Sequence, residues 1–180
     1  MDKKNSNYKE LEKLFKKALE LKKNGDIKSA LKYFQQVIEL DPSLYEAYFN
    51  IANIYEADKK YDLAISFLEK AKKINPNDHE IYVNIGNLYI YKELFKEAMQ
   101  QFQLAFKLNP KDFRISNSVG MLQRKFNNNI DAKAAFEYSL SIDPENDFAR
   151  RQLSIIERIL GNYEKGLEIL YELTGKISFK

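Results

Sequence analysis

Apolar residues recur along this chain at helical spacing. One run shows the pattern clearly, with its members three or four residues apart: Tyr48, Ile51, Ala52 and Tyr55. Such spacing places the side chains on one face of a helix. Short breaks interrupt the pattern at Asn24-Gly25-Asp26, Asp58-Lys59-Lys60, Asn127-Asn128-Asn129 and Gly161-Asn162. Because Asn and Gly tolerate the left-handed backbone that ends helices, the pattern predicts helices of about 13 residues joined by tight turns.

The prolines divide the chain at a constant interval. Pro42, Pro76, Pro110 and Pro144 are evenly spaced, and each ends an aliphatic–Asx–Pro triplet. Proline disfavours helical geometry at the preceding residue, and Asx side chains bond nearby backbone groups in turns. A regular period of this length indicates a repeat protein. Alignment on the prolines predicts a polar N-terminal extension, 1–10, and one domain of five repeats: 11–44, 45–78, 79–112, 113–146 and 147–180.

Aligned positions repeat their residue type. Small residues occupy one column in the first helix of each repeat and another in the second: Ala18, Ala52, Gly86, Gly120 and Ser154, then Ala30, Ala64, Ala98, Ala132 and Gly166. A large apolar column holds Phe34, Leu68, Phe102, Phe136 and Leu170. Glycine inside a helix costs about 1 kcal/mol relative to alanine. We therefore expect Gly86 and Gly120 to serve close packing between helices.

Together these columns resemble the tetratricopeptide repeat. The match is closest in the second and third repeats: Tyr48, Ile51, Ala52, Tyr55, Ala64, Leu68, Ala71 and Pro76, then Tyr82, Ile85, Gly86, Tyr89, Ala98, Phe102, Ala105 and Pro110. The resemblance covers 11–180 and implies an all-α fold, a right-handed α-solenoid or superhelix of helix–turn–helix repeats. Its first helices would line a concave, partner-binding groove. Ser116, Ser139 and Arg150 depart from the pattern.

Composition excludes several classes of function. The 180 residues are 44% apolar and 31% charged, and the net charge of +3 is too balanced to indicate a nucleic-acid or membrane partner. There is no cysteine, one histidine and no Gly-rich phosphate loop, so we expect no enzymatic activity, no metal and no cofactor. His79 is expected at the start of a helix. The carboxylates, spread among lysines, are expected on solvated helix faces.

Targeting signals are missing from the sequence. No apolar run approaches the roughly 20 residues that span a bilayer, and the polar start, Met1-Asp2-Lys3-Lys4, lacks the apolar stretch of a signal peptide. The lack of cysteine fits a reducing compartment. We therefore expect a cytoplasmic protein without membrane insertion.

Asparagines recur at the groove positions implied by the resemblance. Asn50 aligns with Asn84, and Asn53 aligns with Asn87, each pair one repeat apart. A side-chain amide both donates and accepts hydrogen bonds, so a ladder of amides can hold a peptide backbone of any sequence. With Phe49 beside them, these asparagines are predicted to bind a partner. Asparagines are also common at these columns in generic repeats of this kind, which is the competing interpretation.

Arginine is concentrated at one end of the chain. Of 29 basic residues, only five are arginines, and all lie between 114 and 158. Arginine forms bidentate bonds to carboxylate and phosphate that lysine cannot copy. Four are predicted partner-binding residues: Arg114, Arg124, Arg151 and Arg158. Repeats two and three carry Glu46, Glu56 and Glu80 instead. Chance clustering of ordinary surface residues is the alternative.

Three hypotheses follow. The first is a scaffold or adaptor that binds a protein or peptide in the groove, with acidic groups toward repeats four and five. The second is homo-oligomeric self-assembly through an uncapped apolar C-terminal helix that carries Leu167, Leu170, Tyr171 and Leu173, with Ile177 and Phe179 beyond. RNA binding is disfavoured by the central glutamates. The carboxylate clamp known in the family is also disfavoured, because Phe49 and Ser118 stand where it needs basic residues.

Overall fold

The computed structural model describes the backbone of residues 3–174 and the side chains of residues 7–172. These residues form ten α-helices and no strand. The chain divides into unit 1, Met1–Leu94, and unit 2, Phe95–Lys180. Unit 1 holds α1 (Lys3–Lys23), α2 (Ile27–Leu40), α3 (Tyr45–Ala57), α4 (Tyr61–Ile74) and α5 (His79–Tyr91). Unit 2 holds α6 (Phe95–Leu108), α7 (Phe113–Lys125), α8 (Asn129–Ile142), α9 (Asp147–Ile159) and α10 (Tyr163–Thr174). The predicted helix–turn–helix spacing is confirmed.

The first helix is longer than the others. α1 has 21 residues, so its helix includes 3–10, which the sequence analysis leaves as a polar extension. Neither proline nor glycine occurs before Gly25, and therefore nothing in this segment breaks a helix. An exposed ion pair from Lys16 Nζ to Glu12 Oε1, 2.5 Å long, adds a one-turn contact along the helix.

Left-handed residues join the two helices within each repeat. Gly25 and Gly161 have φ of 82° and 88°, and Lys59, Glu93 and Asn127 have φ of 56°, 58° and 61°. Four of these turns coincide with the predicted breaks. The turn at Glu93 was not predicted, because Lys92-Glu93-Leu94 has neither the glycine or asparagine of three other turns nor the wholly polar run of Asp58-Lys59-Lys60. A lysine or glutamate seldom adopts this conformation, because its Cβ atom lies too close to the following carbonyl oxygen in the left-handed region.

The Asx–Pro triplets close the second helices as predicted. The side-chain oxygens of Asp41, Asn109 and Asp143 accept hydrogen bonds from backbone N–H groups two residues later, at 2.9, 3.3 and 3.2 Å. A tyrosine from the next first helix completes two of these turns. Tyr48 donates its hydroxyl to the Pro42 carbonyl at 3.2 Å, and Tyr82 donates to the Pro76 carbonyl at 2.8 Å.

The predicted columns supply the residues of the core within each unit. Within each unit the packed helix pairs follow one another along the chain, as α1 and α2 or α7 and α8 do. Four of the five large-column residues are buried, since Phe34, Phe102 and Phe136 are 0% exposed and Leu68 is 1% exposed, whereas Leu170 is half-buried. A Cβ atom on Gly120 would lie 2.7 Å from the Phe136 ring. The prediction that Gly120 serves close packing is therefore confirmed. Of the helices described, none is both long and apolar enough to cross a membrane.

Candidate partner-binding faces of the first helices

Two of the predicted asparagines are engaged within unit 1. Asn50 Nδ2 donates to the Glu46 carbonyl at 2.8 Å, and Asn84 Nδ2 donates to the Glu80 carbonyl at 2.7 Å. Each amide is thus held by its own helix, four residues back. The Asn50 Oδ1 atom also accepts a hydrogen bond of 2.8 Å from Lys22 Nζ, which links α3 to α1. Asn50 therefore uses a donor and an acceptor inside the protein.

The other two asparagines differ from this pair. Asn53 and Asn87 are half-buried, and their side chains have no hydrogen bond to any described residue. Their amide groups keep both donor and acceptor capacity. Phe49, which precedes Asn50 on α3, is half-buried and packs against the unit 1 core that includes Tyr48 and Leu68. Because its ring packs against this core, Phe49 offers an apolar surface to a partner but is not a projecting side chain that could insert into one.

Lys22 is a member of this face that the sequence analysis missed. It occupies the same repeat column as Glu56, Arg124 and Arg158, and that recurrence of charge was the signal that could have found it. Burial lowers the pKa of the Lys22 ammonium and raises the pKa of the Glu56 carboxyl. Both shifts favour the neutral forms, because a low-dielectric environment disfavours charge. This part of unit 1 is therefore partly shielded from water.

Unit 2 presents a basic face on α7 and α9, formed by Arg124, Arg151 and Arg158. Arg151 and Arg158 are exposed and seven residues apart on α9, so they share one side of that helix. Arg124 is half-buried on α7 and donates from Nη1 to Gln152 Oε1, which links the two helices. The partner of Arg124 is therefore an uncharged amide. α7 carries no acidic residue along its whole length, as the sequence indicates.

The other two arginines are paired locally. Arg114 bonds the Asp112 carboxylate through Nε at 2.9 Å and Nη2 at 2.6 Å, and Asp112 is buried where it caps α7. Arg114 therefore meets an acidic partner that the sequence analysis did not assign. Arg150 donates from its guanidinium to the Pro144 carbonyl and lies 3.5 Å from Glu145. It substitutes for the tyrosine of other repeats at the closing turn, and it does not belong to the basic face.

One carboxylate contradicts the expectation that these groups lie on solvated helix faces. Glu157 is 1% exposed and meets Lys133 at 2.8 Å, Lys165 at 3.1 Å and Asn162 Nδ2 at 2.8 Å. These hydrogen bonds, the one from Lys133 first, lower the pKa of Glu157 to about 2. The expectation was wrong because the alternation of charges along one helix does not show which residues of the neighbouring helices face it. His79 begins α5, as expected.

The last helix exposes an apolar stripe. Tyr163, Leu167 and Tyr171 follow one another at four-residue intervals on α10 and are 64%, 45% and 46% exposed. They lie on one side of the helix, as residues four apart do. The side chain of Leu173 and the residues Ile177 and Phe179, which the sequence analysis assigned to the same surface, lie outside the described residues.

Paired helices, recurring columns and closing turns define an all-α solenoid of helix–turn–helix repeats. The sequence model described as "Tetratricopeptide repeat" matches residues 15–79, and a second of the same description matches residues 79–112. Together they span more than half of the chain, which therefore belongs to the tetratricopeptide repeat family. Members of this family are typically non-enzymatic interaction scaffolds.

Known proteins similar to this chain share its fold. The chain is 44% identical over 46 residues to an uncharacterized protein of Methanocaldococcus jannaschii, a match covering 26% of this chain and about half, 54%, of that protein. The structure of MamA superposes with a TM-score of 0.79 at 18% identity, covering 87% of this chain and 91% of MamA. PilF of Pseudomonas aeruginosa gives 0.81 at 18%, covering 97% and 79%. YrrB, "a TPR protein with an unusual peptide-binding site", gives 0.74 at 23%, covering 91% and 86%.

Proposed function

We propose that this chain is a protein-interaction scaffold whose first helices bind an acidic peptide or an acidic segment of a partner protein. The observation that carries the proposal is the basic face of unit 2, where Arg124, Arg151 and Arg158 meet no acidic side chain among the described residues. Guanidinium groups of this kind bind carboxylates in bidentate fashion. The family, and the peptide-binding description of YrrB, support the class of partner.

The amides of unit 1 add a contact that does not depend on partner sequence. Asn53 and Asn87 keep their hydrogen-bonding capacity, and Phe49 offers an apolar surface next to them. Asn50 and Asn84 position this surface through their own helices, with less capacity left for a partner. A cytoplasmic location, and a partner that is protein and not nucleic acid, belong to the same proposal.

The test compares peptides of equal length and graded net charge by fluorescence anisotropy. We expect the most acidic peptides to bind most tightly, and binding to weaken with salt. Changing Arg124, Arg151 and Arg158 to Gln should weaken binding of the most acidic peptide by at least about tenfold, because the charge-assisted bonds are lost. Circular dichroism of each variant establishes that it is folded.

A matched variant carries the same loss of charge away from the basic face. Lys73, Lys96 and Lys111 are exposed lysines that lie outside α7 and α9, and changing all three to Gln should alter peptide binding little. If both triple variants weaken binding equally, the arginines act only as net charge and the proposed site is wrong. Tighter binding of a labelled oligouridylate than of the acidic peptides, with a steep salt dependence, would replace the peptide with RNA.

Self-association is the second candidate, and the α10 stripe favours it. Tyr163, Leu167 and Tyr171 expose contiguous apolar surface, which on soluble proteins often marks an interaction site. On this proposal the chain associates with a second copy of itself through α10, and partner binding by the first helices is secondary.

A further inference from the structure

A pocket opens in unit 2 between α6, α7 and α8, and none of the three arginines of the basic face lines it. Its volume is about 340 Å³, near the lower end of the range for small-ligand sites. Its lining includes Phe106, Ser116, Val119, Ala135 and Tyr138. The rings of Phe106 and Tyr138 meet edge to face, with centroids 5.5 Å apart. The walls are therefore mainly apolar and aromatic.

The repeat explains why this space is open. Ser116 occupies the column that holds Tyr82 one repeat earlier and Tyr48 two repeats earlier. Tyr82 places its ring beside Lys72, whose ammonium lies 5.8 Å from the ring centroid. Lys72 is the counterpart of Phe106, one repeat earlier. The pocket thus lies where a tyrosine ring lies in the preceding repeat, and Ser116 leaves that space unfilled.

Ser116 also has an unmet hydrogen-bonding group. The residue is 3% exposed, and its Oγ atom is buried without a hydrogen-bond partner. The other serines in small or substituted columns differ, since Ser139 Oγ accepts from Asn146 Nδ2 at 3.1 Å and Ser154 Oγ donates to the Gly166 carbonyl at 2.6 Å. A buried hydroxyl without a partner is costly. The pocket wall therefore offers a polar contact that no described residue uses.

We propose that this pocket binds the phenol ring of a tyrosine side chain from a partner peptide, which completes repeat four as Tyr82 completes repeat three. The ring packs against Phe106 and Tyr138. By analogy with Tyr82, whose hydroxyl donates to the Pro76 carbonyl, its hydroxyl donates to the counterpart carbonyl of Pro110, and the Ser116 side chain lines the pocket beside the ring. This site is separate from the basic face and goes beyond the proposed function.

The first experiment titrates the ¹⁵N-labelled full chain with p-cresol, the side chain of tyrosine, and with toluene, which lacks the hydroxyl. We expect saturable shifts of the Ser116 and Val119 amide signals, with a dissociation constant on the order of 1 mM for so small a ligand. Toluene should bind more weakly. Absence of saturable shifts at these amides with p-cresol would overturn the proposal.

Two variants block the pocket from different walls. Ser116→Tyr should fill it with the chain's own ring, raise the melting temperature and abolish p-cresol shifts. Ala135→Leu narrows the pocket from α8 and should weaken p-cresol binding at least about tenfold. This second variant provides the test if Ser116→Tyr does not fold. Unchanged p-cresol binding in a folded blocking variant contradicts the assignment.

A second probe separates a peptide from a free small phenol. N-acetyl-tyrosinamide carries the same ring on a peptide backbone, and we expect it to shift the same amide signals and to lose binding in the same variants. If p-cresol binds and N-acetyl-tyrosinamide does not, the occupant is a free phenol and the peptide assignment is overturned.

Discussion

Glu157 illustrates, at the scale of one residue, how a repeat column can change its chemistry. Earlier repeats carry Tyr55, Tyr89 and Gln123 at this position, whereas repeat five buries a carboxylate. Folding keeps it ionised, because Lys133, Lys165 and Asn162 all bond it. A buried charge is tolerated only when it is paired and hydrogen-bonded. This cluster therefore replaces an aromatic contact in joining α8, α9 and α10.

The cluster predicts a dependence of stability on pH. The pKa of Glu157 is about 2 in the folded chain, below its ordinary value of 4.5. A depressed folded-state pKa stabilises the fold above the unfolded pKa, and that contribution is lost as pH falls from about 4.5 toward 2. Glu157→Gln should lower the free energy of unfolding at pH 7 by about 1–3 kcal/mol. It should also flatten this acid dependence, as measured by urea denaturation.

Glu137→Gln is the control, since Glu137 is exposed and lies 3.9 Å from the same lysine, Lys133. It should change both quantities little. Equal effects of the two substitutions would show that the acid response does not come from the buried carboxylate of Glu157.

Sequence reasoning at this scale succeeded where a residue's size determined its place. The large column of Phe34, Phe102 and Phe136 was predicted and is buried. It failed where the partner of a charge decides its role. The Asp112 that pairs Arg114 and the lysines around Glu157 come from geometry across a turn or between helices, and a linear pattern of charges does not contain that geometry.

Contacts between helices depend on the small residues of the first helices. Gly120 lets α7 approach α8 so closely that a Cβ atom at this position would lie only 2.7 Å from the Phe136 ring. Phe136 is fully buried, so its ring has little room to move. We predict that Gly120→Ala destabilises the chain by about 1–2 kcal/mol. Overpacking costs about 1–3 kcal/mol, and higher helix propensity offsets up to about 1 kcal/mol.

Urea denaturation measures this loss of stability. Phe136→Leu, made alone and together with Gly120→Ala, completes a double-mutant cycle. Removing the ring should cost less in the Gly120→Ala background than in the wild type, because the overlap is relieved. If Gly120→Ala is as stable as the wild type, the close contact between α7 and α8 is not a constraint.

Element boundaries were predicted well where prolines, glycines and asparagines mark them. The turn at Glu93 was missed because a glutamate seldom adopts the left-handed backbone found there. The start of α1 was missed for the opposite reason, since nothing in 3–10 opposes a helix and polar composition alone does not prevent one.

For the whole molecule, the constant interval between the prolines was enough to predict the repeat fold. The candidate sites were only partly accessible from the sequence. The arginine cluster was visible in the sequence as a concentration of one residue type. Which arginines have an acidic partner and which do not could be seen only in the structure. The pocket beside Ser116 was visible only as a departure from the column, because an empty volume depends on the neighbouring walls.

The oligomeric state is a property of the whole molecule. If α10 mediates self-association, sedimentation equilibrium should show a mass that rises with protein concentration. Changing Tyr163, Leu167 and Tyr171 to Gln should make the protein monomeric by removing apolar surface from the contact. Leu63, Leu104 and Ile130, also exposed, changed to Gln are the control. A strict monomer over a wide concentration range rules out this candidate.

The packing of helices on their neighbours in the chain also bears on how the protein is made. Contacts of short sequence separation close small loops, and the entropy lost in closing a loop grows with its length. Proteins of such low contact order fold quickly. Each helix pair within a unit can therefore bury its apolar column soon after it leaves the ribosome, before the later repeats are synthesised.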